Sequence, residues 1–425
     1  MPRKLSGVSR RTLIGGGATA LVASGVNVVV AKTSSRLLGR AKGNRVVVVG
    51  GGYGGVTAAK YVKKENPDAD VFLIEKNQLF VSCPLSNHYL VDLIEYGQLC
   101  FPYNRLHTKY GVKVINDFVS DVDLPKRRVY ISEGYIEYDY LILSPGIEYD
   151  FEEFPFYEEA SWFYPGAFKP GSEHLYLKRL LEEFEGENLV FTVPKMPYRC
   201  PPAPYERAAL MLSYIKENGL KAHMYFIDAN EYPPVLREGF MKAYNDFYRG
   251  MATYITGATI KDIDVATKTI KTDKGEVRFD FGSIIPPMRA PKFLEEIGLI
   301  YGREKWVRVN PMTFETKVRN VFVIGDSCES YLPKSGYAAN SQAKVVAKIV
   351  ADRIRGKKPR GELIQHGICY AMVNMKSAIM VEVEYKYNVE TGEVKKILRE
   401  DNTWKVSTAK RYYEWARGLW RDLFF

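Results

Sequence analysis

Apolar residues first gather at Val46-Val-Val-Val49, a run too uniform to alternate between core and solvent, which predicts a strand buried on both faces. It stops at Gly50-Gly-Gly52-Tyr-Gly-Gly55, and helical spacing then predicts a helix from about Val56 to Lys64. Asp70 to Ile74 reads as a second strand and closes on Glu75. Two later segments repeat the short apolar strand followed by a turn: Tyr140-Leu-Ile-Leu-Ser-Pro-Gly146 and Asn320-Val-Phe-Val-Ile-Gly325-Asp326. Between them, Asn188 to Val193, Tyr205 to Glu217 and His223 to Ile227 read as strand, helix and strand, the last ending in Asp228. A long helix is expected from about Tyr337 to Arg355. Beyond it, Ile379 to Tyr387 and Glu393 to Leu398 read as paired strands around Asn388 to Gly392, and Ala409 to Phe425 as an aromatic-rich helix. Strands that alternate with helices make parallel sheets, so the expected class is α/β: two Rossmann-like domains and a small α+β C-terminal domain.

Gly50, Gly52 and Gly55 form G-x-G-x-x-G between a strand and a helix. Such glycines permit a tight turn and close backbone approach to a pyrophosphate, which the free N–H groups of the helix N-terminus attract. Glu75, twenty residues past Gly55, is placed to bond ribose hydroxyls, which argues against a 2′-phosphate. NAD and FAD both fit this loop. The later strands turn the balance toward FAD, because together with the loop they resemble the flavin-disulfide-reductase superfamily, whose domains are of the glutathione-reductase type. That resemblance implies that Asp326 binds the ribityl chain and that the stretch ending in Gly146 closes the first FAD segment.

In that superfamily an inserted domain repeats the nucleotide fold to hold NAD(P)H. Here the corresponding turn, Pro194 to Pro204, has no glycine and five prolines, which remove N–H donors and stiffen it, so no NAD(P)H binding is expected. It carries Cys200 instead, just ahead of a helix N-terminus whose dipole would favour a thiolate. The five cysteines, Cys83, Cys100, Cys200, Cys328 and Cys369, contain no C-x-x-C and no C-x-x-C-H, so neither a thioredoxin-type dithiol nor a covalent haem is expected on this chain, and no metal site.

Phe80-Val-Ser-Cys83-Pro-Leu-Ser-Asn87, Tyr198-Arg-Cys200-Pro-Pro-Ala-Pro-Tyr-Glu206-Arg207, Gly367-Ile-Cys369-Tyr370 and Pro333-Lys334-Ser335-Gly336-Tyr337-Ala-Ala-Asn340-Ser-Gln342 are together similar to the flavoprotein subunit of flavocytochrome c sulfide dehydrogenase, from about Asn44 to Phe425. The resemblance implies FAD bound through a thioether at Cys83, a redox-active disulfide between Cys200 and Cys369, Glu206 as proton acceptor, Trp415 on the electron path, and hydrosulfide as substrate. It also implies a c-type cytochrome partner that carries the haem. Lys334 and Ser335 precede the long helix, whose N-terminus would favour negative charge on reduced flavin. Glu206 is expected one or two helical turns inside its helix. Two other readings are a sulfide:quinone oxidoreductase and a non-enzymatic, redox-sensing flavoprotein.

Ser9-Arg10-Arg11-Thr-Leu-Ile14 matches the twin-arginine export pattern, followed by a moderately apolar stretch to Ala31, so residues 1–31 are expected to be a signal peptide and the protein periplasmic. The net charge of +10 includes four cations and no acid in that leader, leaving +6 after its removal, without a nucleic-acid signature. The expected domains are 44–148 with 278–355 for FAD, 149–277 for the second Rossmann-like unit and 361–425 for the C-terminal interface. The aromatic tail admits two opposed readings, a membrane-surface helix as in sulfide:quinone oxidoreductases and a packed terminal helix resembling the end of the flavocytochrome subunit, and no membrane contact is expected.

Overall fold

The computed structural model describes residues 35–425. The expected export segment therefore lies outside the described residues. The first sheet runs Val321–Val323, Tyr140–Leu143, Arg45–Val49, Asp70–Ile74, Lys113–Ile115, with every neighbouring pair parallel. Parallel strands need cover on both faces. Part of it comes from helices Tyr53–Glu65 and Gly336–Ile354, which pack against each other. Both are rich in buried alanine, including Ala58, Ala59, Ala343 and Ala347, so their axes approach closely. The first helix begins three residues earlier than its apolar spacing predicts, because Tyr53, Gly54 and Gly55 already form its first turn.

Gly55 belongs at that turn for a steric reason. A β-carbon there would stand 1.7 Å from the Gly50 carbonyl oxygen, so only glycine lets the helix start against the strand end.

A second parallel sheet runs Ala252–Ile255, His223–Asp228, Asn188–Val193, Phe281–Ile284. The last strand corrects the expected boundary at 277/278: Phe281–Ile284 still belongs to the middle sheet, and the chain returns to the first sheet only after it. The strand Asn188–Val193 leads through the proline-rich turn into helix Ala203–Glu217, with Pro204 in the first turn, where its missing N–H costs nothing.

The C-terminal unit is a three-stranded antiparallel meander, Glu362–Met372, Ala378–Asn388 and Val394–Lys405, followed by helix Val406–Phe424. The strand Glu362–Met372, which carries Cys369, was not visible in the hydropathy pattern. The terminal helix joins the two larger cores: Tyr412, Ala416 and Trp420 enter that of the middle domain, and Leu419, Leu423 and Phe424 that of the first. Its end is tied down at Asp422, which accepts hydrogen bonds from Tyr61 (2.6 Å) and Asn340 (2.9 Å) and pairs with Lys344 (2.8 Å). Of the two readings of the tail, the packed terminal helix is the one described by these contacts. Among the described residues no helix is long and apolar enough to cross a membrane.

Gly55→Ala is expected to cost about 2 kcal/mol through overpacking and to bring the thermal transition down. Gly97→Ala, whose added methyl meets nothing within 4 Å, should leave the transition in place. Equal melting curves for the two variants would contradict the packing described for the first turn.

Candidate active site

Three chain segments meet where the middle domain faces the C-terminal sheet. Cys200 has a left-handed backbone (φ +56°), a conformation that glycine adopts without strain and that costs a side-chain-bearing residue about 1 kcal/mol. It is held there at both ends: its N–H donates to the Lys334 carbonyl (2.6 Å) and its carbonyl accepts from Ala203 N–H (2.9 Å). This turn sets its thiol beside Cys369, on the strand Glu362–Met372, close enough for each thiol to act on the other. Both line a cavity of about 60 Å³, partly open to solvent, together with Cys83, Glu206, Ser335 and Trp415. Six residues singled out from separate stretches of the sequence thus converge on one space.

The remaining candidates stand outside that lining. Gly50 (φ +96°) turns the chain under Ser144, and Gly146 (φ +80°) accepts a hydrogen bond from Ser327 Oγ (2.6 Å). Glu75 accepts hydrogen bonds from Gly51 N–H (2.5 Å) and from Asn77, so its carboxylate braces the glycine loop. Asp326 pairs with Arg199 at 3.0 Å. Lys334 is neither a solvated surface charge nor a cation facing the cavity: its Nζ donates to the carbonyls of Asp326 (2.9 Å) and Cys328 (2.8 Å) over the Trp306 ring. Burial lowers its ammonium to about 8. What Lys334 gives the cavity wall is its backbone carbonyl. Ser335 caps the long helix by accepting from Ala338 N–H (3.2 Å).

Burial sets the electrostatics. The helix-dipole expectation for Cys200 is overturned, because contact with Cys369 and loss of solvent push its thiol well above the ordinary range. Glu206 lies in the first turn of its helix, not one or two turns inward. Desolvation raises it from the ordinary 4.5 to about 7, against the opposing pull of hydrogen bonds from Met372 N–H (2.9 Å) and Asn87 Nδ2 (2.8 Å), the Arg207 charge and Tyr412. A carboxylate at that value exchanges protons near neutrality. Burial also raises the Cys83 thiol, while the adjacent Arg199 guanidinium favours its anion.

Four residues that carry this geometry were not assigned from the sequence. Arg199 is fixed by Asp326 and by the Phe168 carbonyl (2.9 Å), and it bonds Cys83 and lies near Cys200. Arg207, only 2 % exposed, donates to the carbonyls of Gly166 and Ala167 and to Asn87 Oδ1 (2.9 Å), which fixes one cavity wall. Asn87 bridges Arg207 to Glu206, and Tyr412 closes the acid from the terminal helix. The first two adjoin candidate residues in sequence, but a cationic side chain beside a turn is ordinarily solvated, so nothing marked them as buried.

The donor set fits FAD. Nothing stands within 4 Å of a β-carbon built on Gly52, which leaves room against the helix N-terminus for a phosphate. Beside the cavity, Asp326 Oδ1 and Trp415 Nε1 are buried without a hydrogen-bond partner, an acceptor and a donor free for a polar cofactor.

Comparison with known proteins places the chain's sequence and fold among sulfide-oxidising flavoproteins it is similar to. Residues 174–286 match the family model described as "Sulfide dehydrogenase (flavocytochrome c) flavoprotein chain, central", and residues 44–155 match "Pyridine nucleotide-disulphide oxidoreductase". The mouse mitochondrial sulfide:quinone oxidoreductase is 24% identical over 362 residues, covering 80% of this chain and 78% of the relative. The flavocytochrome c sulfide dehydrogenase flavoprotein chain of Chlorobaculum thiosulfatiphilum is 56% identical over 43 residues, 10% of this chain and 90% of that sequence. The solved sulfide:quinone oxidoreductase of Aquifex aeolicus superposes with a TM-score of 0.71 at 20% identity, covering 89% of this chain and 91% of that one. The fold is that of the Rossmann-type FAD-binding oxidoreductases.

Glu206 supplies a prediction about stability. Its folded-state value lies above the unfolded one, so its contribution is full below about 4.5 and is lost as pH rises through about 7. Relative to Glu206→Gln, the wild type should lose on the order of 3 kcal/mol between pH 4.5 and pH 8. Denaturant unfolding of both proteins at the two pH values measures this, and a difference independent of pH would contradict it.

Proposed function

We propose that the protein is a flavin-dependent sulfide dehydrogenase that oxidises hydrosulfide at a Cys200–Cys369 disulfide. The observation that carries this reading is the meeting of Cys200, Cys369, Cys83 and Glu206 in one cavity. A disulfide sulfur is the electrophile that a soft anion such as hydrosulfide attacks. Attack forms one S–S bond and breaks another, leaving one cysteine as the persulfide and the other as a thiolate. Arg199 provides positive charge where the anion approaches and where negative charge collects on sulfur. Glu206, tuned to about 7, accepts the proton.

FAD would be held by the Gly50–Gly55 loop, Asp326 and a thioether at Cys83, with Trp415 at its edge. A second hydrosulfide that attacks the outer sulfur of the persulfide carries it off as hydrogen disulfide anion and leaves the two cysteines as a dithiol. The chemistry FAD would supply when bound is acceptance of the electron pair that returns this dithiol to disulfide. Electrons then leave singly to a c-type cytochrome subunit, the acceptor that the match over residues 174–286 favours. Twin-arginine export to the periplasm suits such a pair.

One observation favours a second acceptor: relatives named for quinone reduction span about 80% of the chain. Purification settles this point, since a stoichiometric c-type cytochrome supports the first reading and quinone reduction without one supports the second. Yellow colour retained in an acid precipitate is expected for the Cys83 thioether, and Cys83→Ala should release it.

Cys200→Ser and Cys369→Ser should each abolish flavin bleaching by micromolar sulfide, a loss of at least 1000-fold, while flavin is retained, because neither variant can form the electrophile. Bleaching at the wild-type rate in both variants would overturn the mechanism. No bleaching in the wild type would leave a flavoprotein without this activity.

A further inference from the structure

We propose that the first sheet carries, at the end away from its glycine loop, a binding site for a tetrahedral oxoanion such as a phosphate group. The site is independent of the sulfide-oxidation reading. Tyr140, Arg319, Asn320, Arg353, Lys357 and Lys358 line a cavity of about 370 Å³. Tyr140 opens the strand Tyr140–Leu143, and Asn320 immediately precedes Val321–Val323, so the cavity lies at the N-terminal ends of two parallel neighbours. Gly50, in contrast, follows the C-terminal end of Arg45–Val49, which runs parallel to them. A ligand in this cavity is therefore distinct from the pyrophosphate of FAD.

Tyr140 separates the cavity from an ordinary basic patch. The residue is only 7 % exposed, yet its hydroxyl makes no hydrogen bond among the described residues. Buried polar groups are ordinarily paired, so a hydroxyl left open on a cavity wall marks a place for a ligand atom. Burial raises the phenol above its usual value, against the charges of Arg353, Arg319 and Arg127, and it stays a neutral donor. Asn320 supplies a second donor. Its left-handed backbone (φ +64°) is one that asparagine tolerates, and its N–H donates to Glu315 Oε1 (2.8 Å). Arg353 Nη1 can only donate, and it donates to Asn320 Oδ1 (3.0 Å), which leaves Nδ2 as the free end of the amide.

Charge decides the class of ligand. Glu315 is held by both Arg353 Nη1 (2.6 Å) and Nη2 (2.7 Å), and Asp139, the other acid acting on Tyr140, accepts Gly43 N–H (2.8 Å) and Arg45 N–H (2.9 Å). Arg319, Lys357 and Lys358 form no ion pair among the described residues. The turn after the long helix presents the two lysines: Lys357 N–H donates to the Asp352 carbonyl (2.8 Å), and Lys348 Nζ to the Arg360 carbonyl (3.3 Å). A phenol, an amide and three cations are donors suited to the oxygens of phosphate or sulfate. A water molecule's share of the liquid is about 30 Å³, so the cavity admits a phosphate that carries a substituent as well as the free ion. Bound there, the anion would tie the turn that leads to the C-terminal unit to the edge of the first sheet.

The experiment follows thermal unfolding of flavin-loaded, full-length protein in inorganic phosphate, against sodium chloride at equal ionic strength, and takes a dissociation constant from the shift. Phosphate should raise the transition where chloride does not. Tyr140→Phe, which keeps the ring, should weaken binding about tenfold, the scale of one hydrogen bond to a charged group, with flavin content unchanged. Lys357→Gln combined with Lys358→Gln should weaken it further. Sedimentation with phosphatidylcholine vesicles, with and without phosphatidylglycerol, separates the sources. Binding that needs phosphatidylglycerol and is lost in Tyr140→Phe assigns the site to a lipid headgroup; a phosphate shift without vesicle binding assigns it to the free ion. Wild-type phosphate affinity in both variants would overturn the site. So would a wild type that phosphate does not stabilise and that anionic vesicles retain no better than Tyr140→Phe. Neither result touches sulfide oxidation.

Discussion

The arrangement turns on one junction, where the loop after strand Asn188–Val193 is clamped between the long helix and the C-terminal sheet. The Cys200 N–H on the Lys334 carbonyl and the Met372 N–H on the Glu206 carboxylate are two short bonds to two other segments of the chain, and they bring the Cys200 thiol beside Cys369. They place a thiol pair and an acid within one cavity, though the residues are separated by more than 160 positions in sequence. A loop built to wrap a pyrophosphate would need its backbone N–H groups free. Here the N–H of Cys200 is committed to Lys334, and prolines remove others, so the loop is specialised for holding sulfur in a conformation that it would not adopt alone.

Desolvation then determines what the held groups can do. The same loss of water lifts the Glu206 carboxyl to about 7, raises the Cys83 thiol and lowers Lys334 to about 8, and it adds to the effect of Cys369 in raising the Cys200 thiol. Buried cations are tolerated because each is bound: Arg207 by two carbonyls and Asn87, Arg199 by Asp326 and Phe168. Arg199 is the link between the two halves of the site, since it pairs with Asp326 on the first domain and its charge acts on both Cys83 and Cys200. The positions of these groups are thus set by backbone contacts.

Much of this was legible from local pattern. The all-apolar run Val46–Val49 gave a buried parallel strand, the glycine loop gave the turn beneath its helix, and the missing glycines after Val193 marked a turn with another purpose. The strand bearing Cys369 was hidden because Glu362–Met372 mixes polar and apolar residues, and its neighbours decide which face is covered. Residues Phe281–Ile284 fall on the wrong side of the expected boundary at 277/278 for a related reason: hydropathy does not show beside which strand a segment pairs. Arg199, Asn87, Arg207 and Tyr412 were missed because their roles come from contacts between domains, and the pH behaviour of Cys200 depends on a partner 169 positions away.

The claim on which the account stands is that Cys200 and Cys369 are one redox pair, distinct from Cys83, Cys100 and Cys328. Peptide mapping by mass spectrometry of air-oxidised protein, digested without reductant, tests it directly. The account predicts one reducible cross-link, joining the peptide that holds Cys200 to the peptide that holds Cys369. Cys200 recovered as a free thiol after oxidation, or cross-linked to any other cysteine, would contradict it.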